Sequence, residues 1–147
     1  MINWNDVIRW ANNGNPTPPR RVEKTEEEWK EILDHKQFQI TRKKGTEMAF
    51  TGEYCEAHEP GKYECVCCGT TLFDSGLKFE SGTGWPSFNE PAEENVVAYH
   101  KDASHGMIRV EITCNVCDAH LGHIFPDGPE PSGLRYCVNS ASIKLAN

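Results

Sequence analysis

The sequence has no long apolar run, because no stretch approaches the roughly 18–20 apolar residues that a membrane-spanning helix needs. It also has no excess of positive charge, since 15 Lys and Arg stand against 22 Asp and Glu, for a formal net charge of −7. Such a chain repels phosphate backbones, so we expect neither a nucleic-acid partner nor a membrane partner. Its first residues lack the basic and apolar segments of a secretory signal, and we therefore expect a reducing, cytoplasmic environment.

The chain also lacks an internal repeat, a low-complexity tract and the alternation of strands with helices that builds a parallel sheet. Its 147 residues suffice for one domain with a hydrophobic core. An apolar face predicts a first short helix over 4–11, and the proline-rich stretch 12–19 predicts an extended connector. The residues of that face are Trp4, Val7, Ile8 and Ala11.

Two further short helices are predicted before the strands. Thr25 and Glu28 form a capping box, in which each side chain bonds the backbone N–H of the other residue, at the start of one helix. We expect this helix to bury Trp29, Ile32 and Leu33. The other helix is predicted over 36–44, with Gly45 as its stop.

The later part of the chain alternates apolar and polar residues, which is typical of strands. The clearest run covers 107–113, and shorter runs cover 96–99 and 134–138. The residues expected to face the core are Ile108, Val110, Ile112, Leu134, Tyr136 and Val138. The sequence therefore predicts a mainly β fold: a small antiparallel β-sheet domain of two packed sheets, preceded by short N-terminal helices.

Cysteine, by contrast, is abundant, with seven residues in the chain. Four of them form two C-x-x-C pairs, Cys65 with Cys68 and Cys114 with Cys117. This spacing is typical of zinc-ribbon-like knuckles that supply four thiolates to a structural Zn²⁺ ion. We therefore predict one structural zinc ion, although Cys67 offers a third sulfur inside the first pair.

Cys137 stands apart from both pairs. In a strand, its side chain shares a face with those of Arg135 and Asn139, while the alternate residues face the core. A guanidinium close to a thiol lowers the thiol pKa, and the thiolate is the nucleophilic form. Cys137 is therefore a candidate nucleophile, although a small buried cysteine in a strand would leave the same pattern.

His120, His123 and Trp85 are further candidates. Histidine donates and accepts protons near neutral pH, so both histidines are candidate acids; their alternatives are structural roles or displacement of one cysteine pair from zinc. Pro86 favours an extended conformation for Trp85. An indole presented in this way walls a pocket for an apolar or sulfur-bearing group, unless it only fills the core.

Together these motifs resemble those of the B-type methionine sulfoxide reductases, which reduce methionine-R-sulfoxide. The resemblance begins at about Glu23, so we expect 1–22 to be an N-terminal extension and 23–147 to be the reductase domain. It rests on RKKGTE at 42–47, FTGEY at 50–54, GWPSF at 84–88, HLGHIFPDG at 120–128 and RYCVNS at 135–140.

The resemblance implies that Cys137 is the catalytic nucleophile and that Trp85 receives the methyl group of the substrate. Phe125 and Arg135 complete the expected substrate-binding residues. It further implies a zinc ion far from the chemistry and methionine-R-sulfoxide in proteins and peptides as the substrate. Thioredoxin or a similar thiol is the expected reductant, and a monomer is the default expectation.

The resemblance also implies that His120, His123 and Asn139 hold and protonate the sulfoxide oxygen, with His123 favoured as the main acid. Attack by the thiolate then releases methionine and leaves Cys137 as a sulfenic acid.

One position departs from the family pattern. Many members carry at the position of Thr83 a cysteine that resolves the sulfenic acid as a disulfide. Outside the zinc and the nucleophile, this chain has only Cys55 and Cys67. We favour Cys55 as the resolving residue, because Cys67 lies within a knuckle; direct reduction by an external thiol stays open. A smaller departure is Met48-Ala49, where relatives often have two prolines.

Two rival classes are disfavoured by the same residues. A zinc-ribbon binding module needs the paired cysteines but has no use for Cys137 beside Asn139. A thioredoxin-like oxidoreductase would place its C-x-x-C pair in a strand–helix–strand pattern, which neither pair has.

Overall fold

The computed structural model describes residues 1–106 and 108–146 of the chain. Three helices come first: α1 (Trp4–Asn13), α2 (Glu26–Ile32) and α3 (His35–Arg42). The strands of the described residues are β1 (Lys62–Cys65), β2 (Thr71–Asp74), β3 (Lys78–Phe79), β4 (Ser87–Phe88), β5 (Val97–Asp102), β6 (Arg109–Cys114), β7 (His120–Phe125), β8 (Arg135–Val138) and β9 (Ile143–Ala146). Among these residues, no helix is long and apolar enough to span a membrane.

The strands form two antiparallel sheets, one of three strands in the order β2-β1-β9 and one of six in the order β3-β4-β8-β7-β6-β5. Buried aromatic rings join the sheets. Phe88 of the larger sheet stacks on Phe73 at 4.4 Å between centroids and meets Tyr63 edge-on at 5.2 Å. The prediction of a mainly β, antiparallel domain with short N-terminal helices is confirmed.

Helix α2 begins at the predicted capping box, in which Thr25 and Glu28 bond each other's backbone N–H. Trp29 and Leu33 are buried as expected, but Ile32 is 55% exposed, so that part of the prediction was wrong. Leu33 is the extended residue that ends the helix, and its N–H donates to the carbonyl of Trp29 at 3.0 Å, whereas Ile32 is the last helical residue and points outward.

Helix α3 ends earlier than predicted. Its last residue is Arg42, and the left-handed residue that reverses the chain is Lys44, with φ of 57°. The backbone N–H of Gly45 then donates to the carbonyl of Gln39 at 3.0 Å. Two residues therefore share the helix stop that the sequence assigned to Gly45 alone.

The residues predicted to face inward are buried with one exception, although β5 continues to Asp102, beyond the predicted run 96–99. Val110 and Ile112 are buried in β6, and Leu134, Tyr136 and Val138 are buried around β8. Ile108 was expected inward but precedes β6 and is 72% exposed, because the ladder with β5 starts only at Arg109. Met107, the first residue of the predicted run, lies outside the described residues.

The first helix covers the edge of the larger sheet. Trp10, which the predicted apolar face omitted, stacks on Tyr99 of β5 with ring centroids 5.4 Å apart, whereas Ile8 is 37% exposed. Beyond the helix, the Asn15 side-chain amide accepts a hydrogen bond from the Tyr99 N–H and donates one to the Tyr99 carbonyl. This segment thus satisfies backbone groups of an edge strand that would otherwise be open to pairing.

Candidate functional site

The candidate nucleophile lies in the middle of the six-stranded sheet. Cys137 of β8 is opposite His123 of β7 on one side and opposite Ser87 of β4 on the other. A cavity of about 230 Å³ opens above this point. Six predicted site residues line it: Trp85, His123, Phe125, Arg135, Cys137 and Asn139. The fold therefore gathers residues from distant parts of the sequence around one thiol.

The glycine between the two histidines has a packing role. A Cβ atom on Gly122 would lie 2.0 Å from the carbonyl oxygen of Cys137, closer than any side chain permits. Only glycine lets β7 approach β8 at this point. The spacing of His120 and His123 around a glycine therefore reflects the close approach of two strands at the nucleophile.

Arg135 is fixed beside the thiol. Its Nε and Nη2 atoms donate to the two carboxylate oxygens of Asp127 at 2.8 and 3.1 Å, and its guanidinium lies 4.4 Å from the centroid of the Phe125 ring. Burial raises the pKa of the Cys137 thiol, while the charge of Arg135 acts in the opposite direction. Arg135 therefore lowers the pKa of the Cys137 thiol, as predicted, but burial raises that pKa by more.

His123 has a carboxylate partner that no sequence motif indicated. Its Nε2 atom lies 2.8 Å from Oδ2 of Asp102, and Arg109 approaches the same oxygen at 3.5 Å. Burial lowers the pKa of His123, and the hydrogen bond that His123 donates to Asp102 opposes this effect. The same hydrogen bond holds the pKa of Asp102 well below its usual range. No sequence signal pointed to Asp102, because it comes from the far end of β5.

The other predicted histidine lies away from the cavity. His120 is only 4% exposed, and its Nδ1 atom lies 2.7 Å from Oε2 of Glu111 on β6. Its ring meets that of His123 edge-on, with centroids 5.8 Å apart. The structure thus places His123 at the cavity and His120 behind it.

Trp85 and Asn139 are both held by the backbone of one residue. The indole Nε1 of Trp85 donates to the carbonyl of Glu47 at 3.1 Å, and the Glu47 N–H donates to Oδ1 of Asn139, also at 3.1 Å. The Asn139 Nδ2 group donates in turn to the carbonyl of Leu121 at 3.2 Å. The indole and the amide are therefore positioned from the same loop.

The structure separates the predicted resolving cysteine from the cavity. Thr83 lines the cavity with Cys137, and its hydroxyl lies 2.8 Å from that of Ser81. Cys55 is half-buried elsewhere, and its carbonyl accepts a hydrogen bond from Lys78 at 3.3 Å. Burial and the nearby Glu56 raise the pKa of the Cys55 thiol.

Four cysteines meet in a second cluster. The sulfur atoms of Cys65, Cys68, Cys114 and Cys117 all lie within 4.8 Å of one another, with two pairs at 3.6 Å. A tetrahedral ion with metal–sulfur bonds of about 2.3 Å would separate its ligands by about 3.8 Å, so the sulfurs fit such an ion. The structure therefore contains a site that can hold a metal ion.

The sequence left open two other sets of metal ligands, one that includes Cys67 and one in which His120 and His123 replace a cysteine pair. Cys67 is buried next to the cluster but is not one of the four convergent residues. His120 and His123 hydrogen-bond carboxylates instead. Arg42 reaches the cluster from α3, with Nη1 3.9 Å from the Cys117 sulfur, and places a positive charge beside it.

Comparisons with known proteins point to one family. The family model of the SelR domain matches residues 33–147. The chain is 58% identical over 124 residues to the peptide methionine sulfoxide reductase MsrB of Saccharophagus degradans, covering 84% of this chain and 92% of the relative. It is 54% identical over 126 residues to the protein of the same name from Pseudomonas putida, covering 86% and 96% of the two chains. For the protein of that name from Acinetobacter baylyi, the identity is 56% over 125 residues, or 85% and 90%.

Proposed function

The chain belongs to the SelR-domain family, whose curated relatives are peptide methionine sulfoxide reductases, and we propose that it reduces methionine-R-sulfoxide in proteins and peptides through Cys137. As a member of this family it is an oxidoreductase. One observation carries the proposal: a single cavity brings the Cys137 thiol together with the Trp85 indole, the His123 imidazole and the Asn139 amide.

The cavity offers a suitable contact for each part of a methyl sulfoxide. The methyl group packs against Trp85 and Phe125, which offer apolar faces. The oxygen is directed to His123 and Asn139, which supply polar hydrogen. The sulfur then faces Cys137, and the remainder of the peptide leaves through the open side of the cavity. When the methyl group and the oxygen of a stereogenic sulfur are both held in place, only one configuration exposes the sulfur to the thiol. The family resemblance makes this the R epimer.

The reaction transfers one oxygen atom. The Cys137 thiolate attacks the sulfoxide sulfur and forms a sulfur–sulfur bond, while protonated His123 gives its proton to the oxygen. The hydroxyl group then transfers to the cysteine sulfur, and both the sulfur–oxygen bond of the substrate and the sulfur–sulfur bond break, which releases the thioether. The substrate sulfur is reduced by two electrons to the thioether, and the Cys137 sulfur is oxidised by two to sulfenic acid. Asp102 keeps the imidazole oriented and stabilises its protonated form.

We further propose that Cys55 resolves the sulfenic acid. A disulfide requires Cα atoms within about 7 Å, so the loop that carries Cys55 moves toward Cys137 after the first step. Thioredoxin or a similar dithiol then reduces the disulfide. Breaking the contact between Lys78 and the Cys55 carbonyl releases this loop.

Disulfide mapping tests the recycling route. The protein is treated with substrate in the absence of reductant, and its peptides are analysed by mass spectrometry. A Cys55–Cys137 bridge supports the route, whereas a persistent sulfenic acid with free Cys55 points to direct reduction by an external thiol. A bridge from Cys67 would identify the remaining alternative. The Cys55→Ser variant is expected to keep activity with dithiothreitol and to lose it with thioredoxin.

The four-cysteine cluster is proposed to hold one structural zinc ion. The cluster lies between the end of β1 and the end of β6, so the ion links the smaller sheet to the larger one. The positive charge of Arg42 offsets part of the charge of four thiolates around a divalent ion. The zinc takes no part in the oxygen transfer.

We propose that 23–147 form the reductase domain and that 1–22 act as an extension that covers β5. The contacts of Trp10 and Asn15 with Tyr99 support this division of roles.

The function is tested with a peptide that contains either epimer of methionine sulfoxide, in the presence of dithiothreitol. We expect turnover of the R epimer and none of the S epimer, as measured by chromatographic separation of the products. Equal turnover of both epimers would contradict the binding arrangement, and turnover of neither would refute the function.

A further inference from the structure

Glu47 links several parts of the site without lining the cavity of Cys137. Its side chain is 1% exposed, and it lies in the loop between α3 and β1. The neighbouring Thr46 does line that cavity. The carboxylate of Glu47 faces a second, polar cavity of about 520 Å³. Glu47 therefore forms part of the wall between the two cavities.

The carboxylate binds the backbone directly after Asn139. Its Oε1 accepts a hydrogen bond from the Ser140 N–H at 2.5 Å, and its Oε2 is 3.4 Å from the Ala141 N–H. The nearest cation, Lys36, is 4.0 Å away and largely exposed. The main partners of the buried charge are therefore these two N–H groups.

The fit around the carboxylate is tight. A Cβ atom on Gly52 would lie 2.5 Å from Oε1 of Glu47 and even closer to the hydroxyl of Ser140. That hydroxyl also accepts the Tyr54 N–H at 3.1 Å. The carboxylate thus has one position, and the segment from 139 to 141 is fixed against it.

We propose that Glu47 is a positioning residue for the sulfoxide reduction, acting through Trp85 and Asn139. Its backbone carbonyl holds the indole and its N–H holds the amide, while its carboxylate anchors the same loop to the backbone beyond Asn139. The carboxylate therefore fixes the distance between the group that receives the methyl and the group that receives the oxygen. This inference rests on the proposed function.

The test compares three variants with the wild type. Glu47→Gln keeps the size of the side chain but removes its charge and places an N–H donor opposite backbone donors. Glu47→Asp keeps the charge on a shorter side chain. Glu53→Gln is the matched control, because Glu53 is exposed, lines the same polar cavity and makes none of the contacts of Glu47 with Ser140 and Ala141.

We expect kcat/KM for the sulfoxide peptide to fall about tenfold in Glu47→Gln, with partial recovery in Glu47→Asp and a change within twofold in Glu53→Gln. Alkylation of Cys137 by iodoacetamide needs neither Trp85 nor Asn139, so its rate should change less than twofold in every variant. A loss of activity that matches a loss of alkylation or of folded protein would show a merely structural role. Activity within twofold of wild type in folded Glu47→Gln would also refute the proposal.

A second readout does not depend on the reaction. Quenching of Trp85 fluorescence by acrylamide, taken by difference from Trp85→Phe in each background, should increase at least twofold in Glu47→Gln. An unchanged quenching constant would refute the inference even if the wild type were inactive. An inactive wild type with increased quenching in Glu47→Gln would refute the proposed function and leave the anchoring of Trp85 standing.

Discussion

Replacing Asp102 with asparagine tests how the candidate acid works. Oδ2 of Asp102 lies 2.8 Å from Nε2 of His123, and the two side chains are 21% and 14% exposed, so water screens the contact only weakly. A hydrogen bond to a charged group contributes about 1.5–3 kcal/mol. Since about 1.4 kcal/mol is a factor of ten, Asp102→Asn should lower kcat/KM by about 10- to 150-fold.

The pH profile of Asp102→Asn should also move in a known direction. Protonated His123 is the acid, so activity that depends on it declines as the pH rises through its pKa. Burial already lowers that pKa, and Asp102 opposes the effect. Removing the carboxylate should therefore shift the declining limb of kcat to lower pH.

The folding stability provides an independent test of the interaction between Asp102 and His123. The pKa of Asp102 is lowered in the fold by its hydrogen bond with His123, so its stabilising effect is present above the unfolded pKa of about 3.9 and is lost as the pH falls through the folded pKa. The stability difference between wild type and Asp102→Asn should therefore shrink in acid.

Peptide reduction measured across the pH range, with urea unfolding at several pH values, checks these expectations. Asp74→Asn is the control, because Asp74 also pairs with a cation and a backbone N–H but lies in the smaller sheet. If Asp102→Asn kept wild-type kcat/KM and an unmoved profile, the assignment of His123 as the acid would be wrong.

Three further substitutions follow from the geometry. Cys65→Ser should reduce bound zinc measured by atomic absorption and lower the melting temperature together, because metal binding and folding are coupled; full metal content would refute the four-cysteine site. Trp85→Ala should raise KM for the sulfoxide peptide and leave alkylation of Cys137 intact; an unchanged KM would show that the indole does not receive the substrate. Arg135→Met should raise the pKa of Cys137, measured as a shift of the alkylation profile to higher pH, because the opposing charge is lost; a shift to lower pH would contradict this account.

The parts of the fold that depend on local patterns were predictable from the sequence. The capping box of Thr25 and Glu28 fixed the start of α2, and strict alternation identified the buried residues of β8. Errors arose at element ends, where long-range contacts decide. Ile108 fits the alternation of apolar and polar residues but precedes the ladder between β5 and β6. At the end of α2, Leu33 is buried and Ile32 is exposed.

In the candidate site, too, the residues in short motifs were predictable from the sequence, and those that act through long-range contacts were not. Short motifs indicated Cys137, Trp85 and the two cysteine pairs, because each motif has particular residue types at a particular spacing. Asp102 and Glu47 act through contacts across the sheet or from a separate loop, and ordinary acidic residues at those positions carry no pattern. Pairing of β5 with β6 and of β6 with β7 had to be known before Asp102 could be placed near His123.

The most direct test is a single turnover without reductant, in which wild type and Cys137→Ser are each mixed with excess methionine-R-sulfoxide peptide. We expect one equivalent of methionine peptide per wild-type molecule, with Cys137 recovered as a sulfenic acid or in a disulfide. Cys137→Ser should form no methionine peptide. A full equivalent from Cys137→Ser would contradict the central claim that this thiol takes the oxygen.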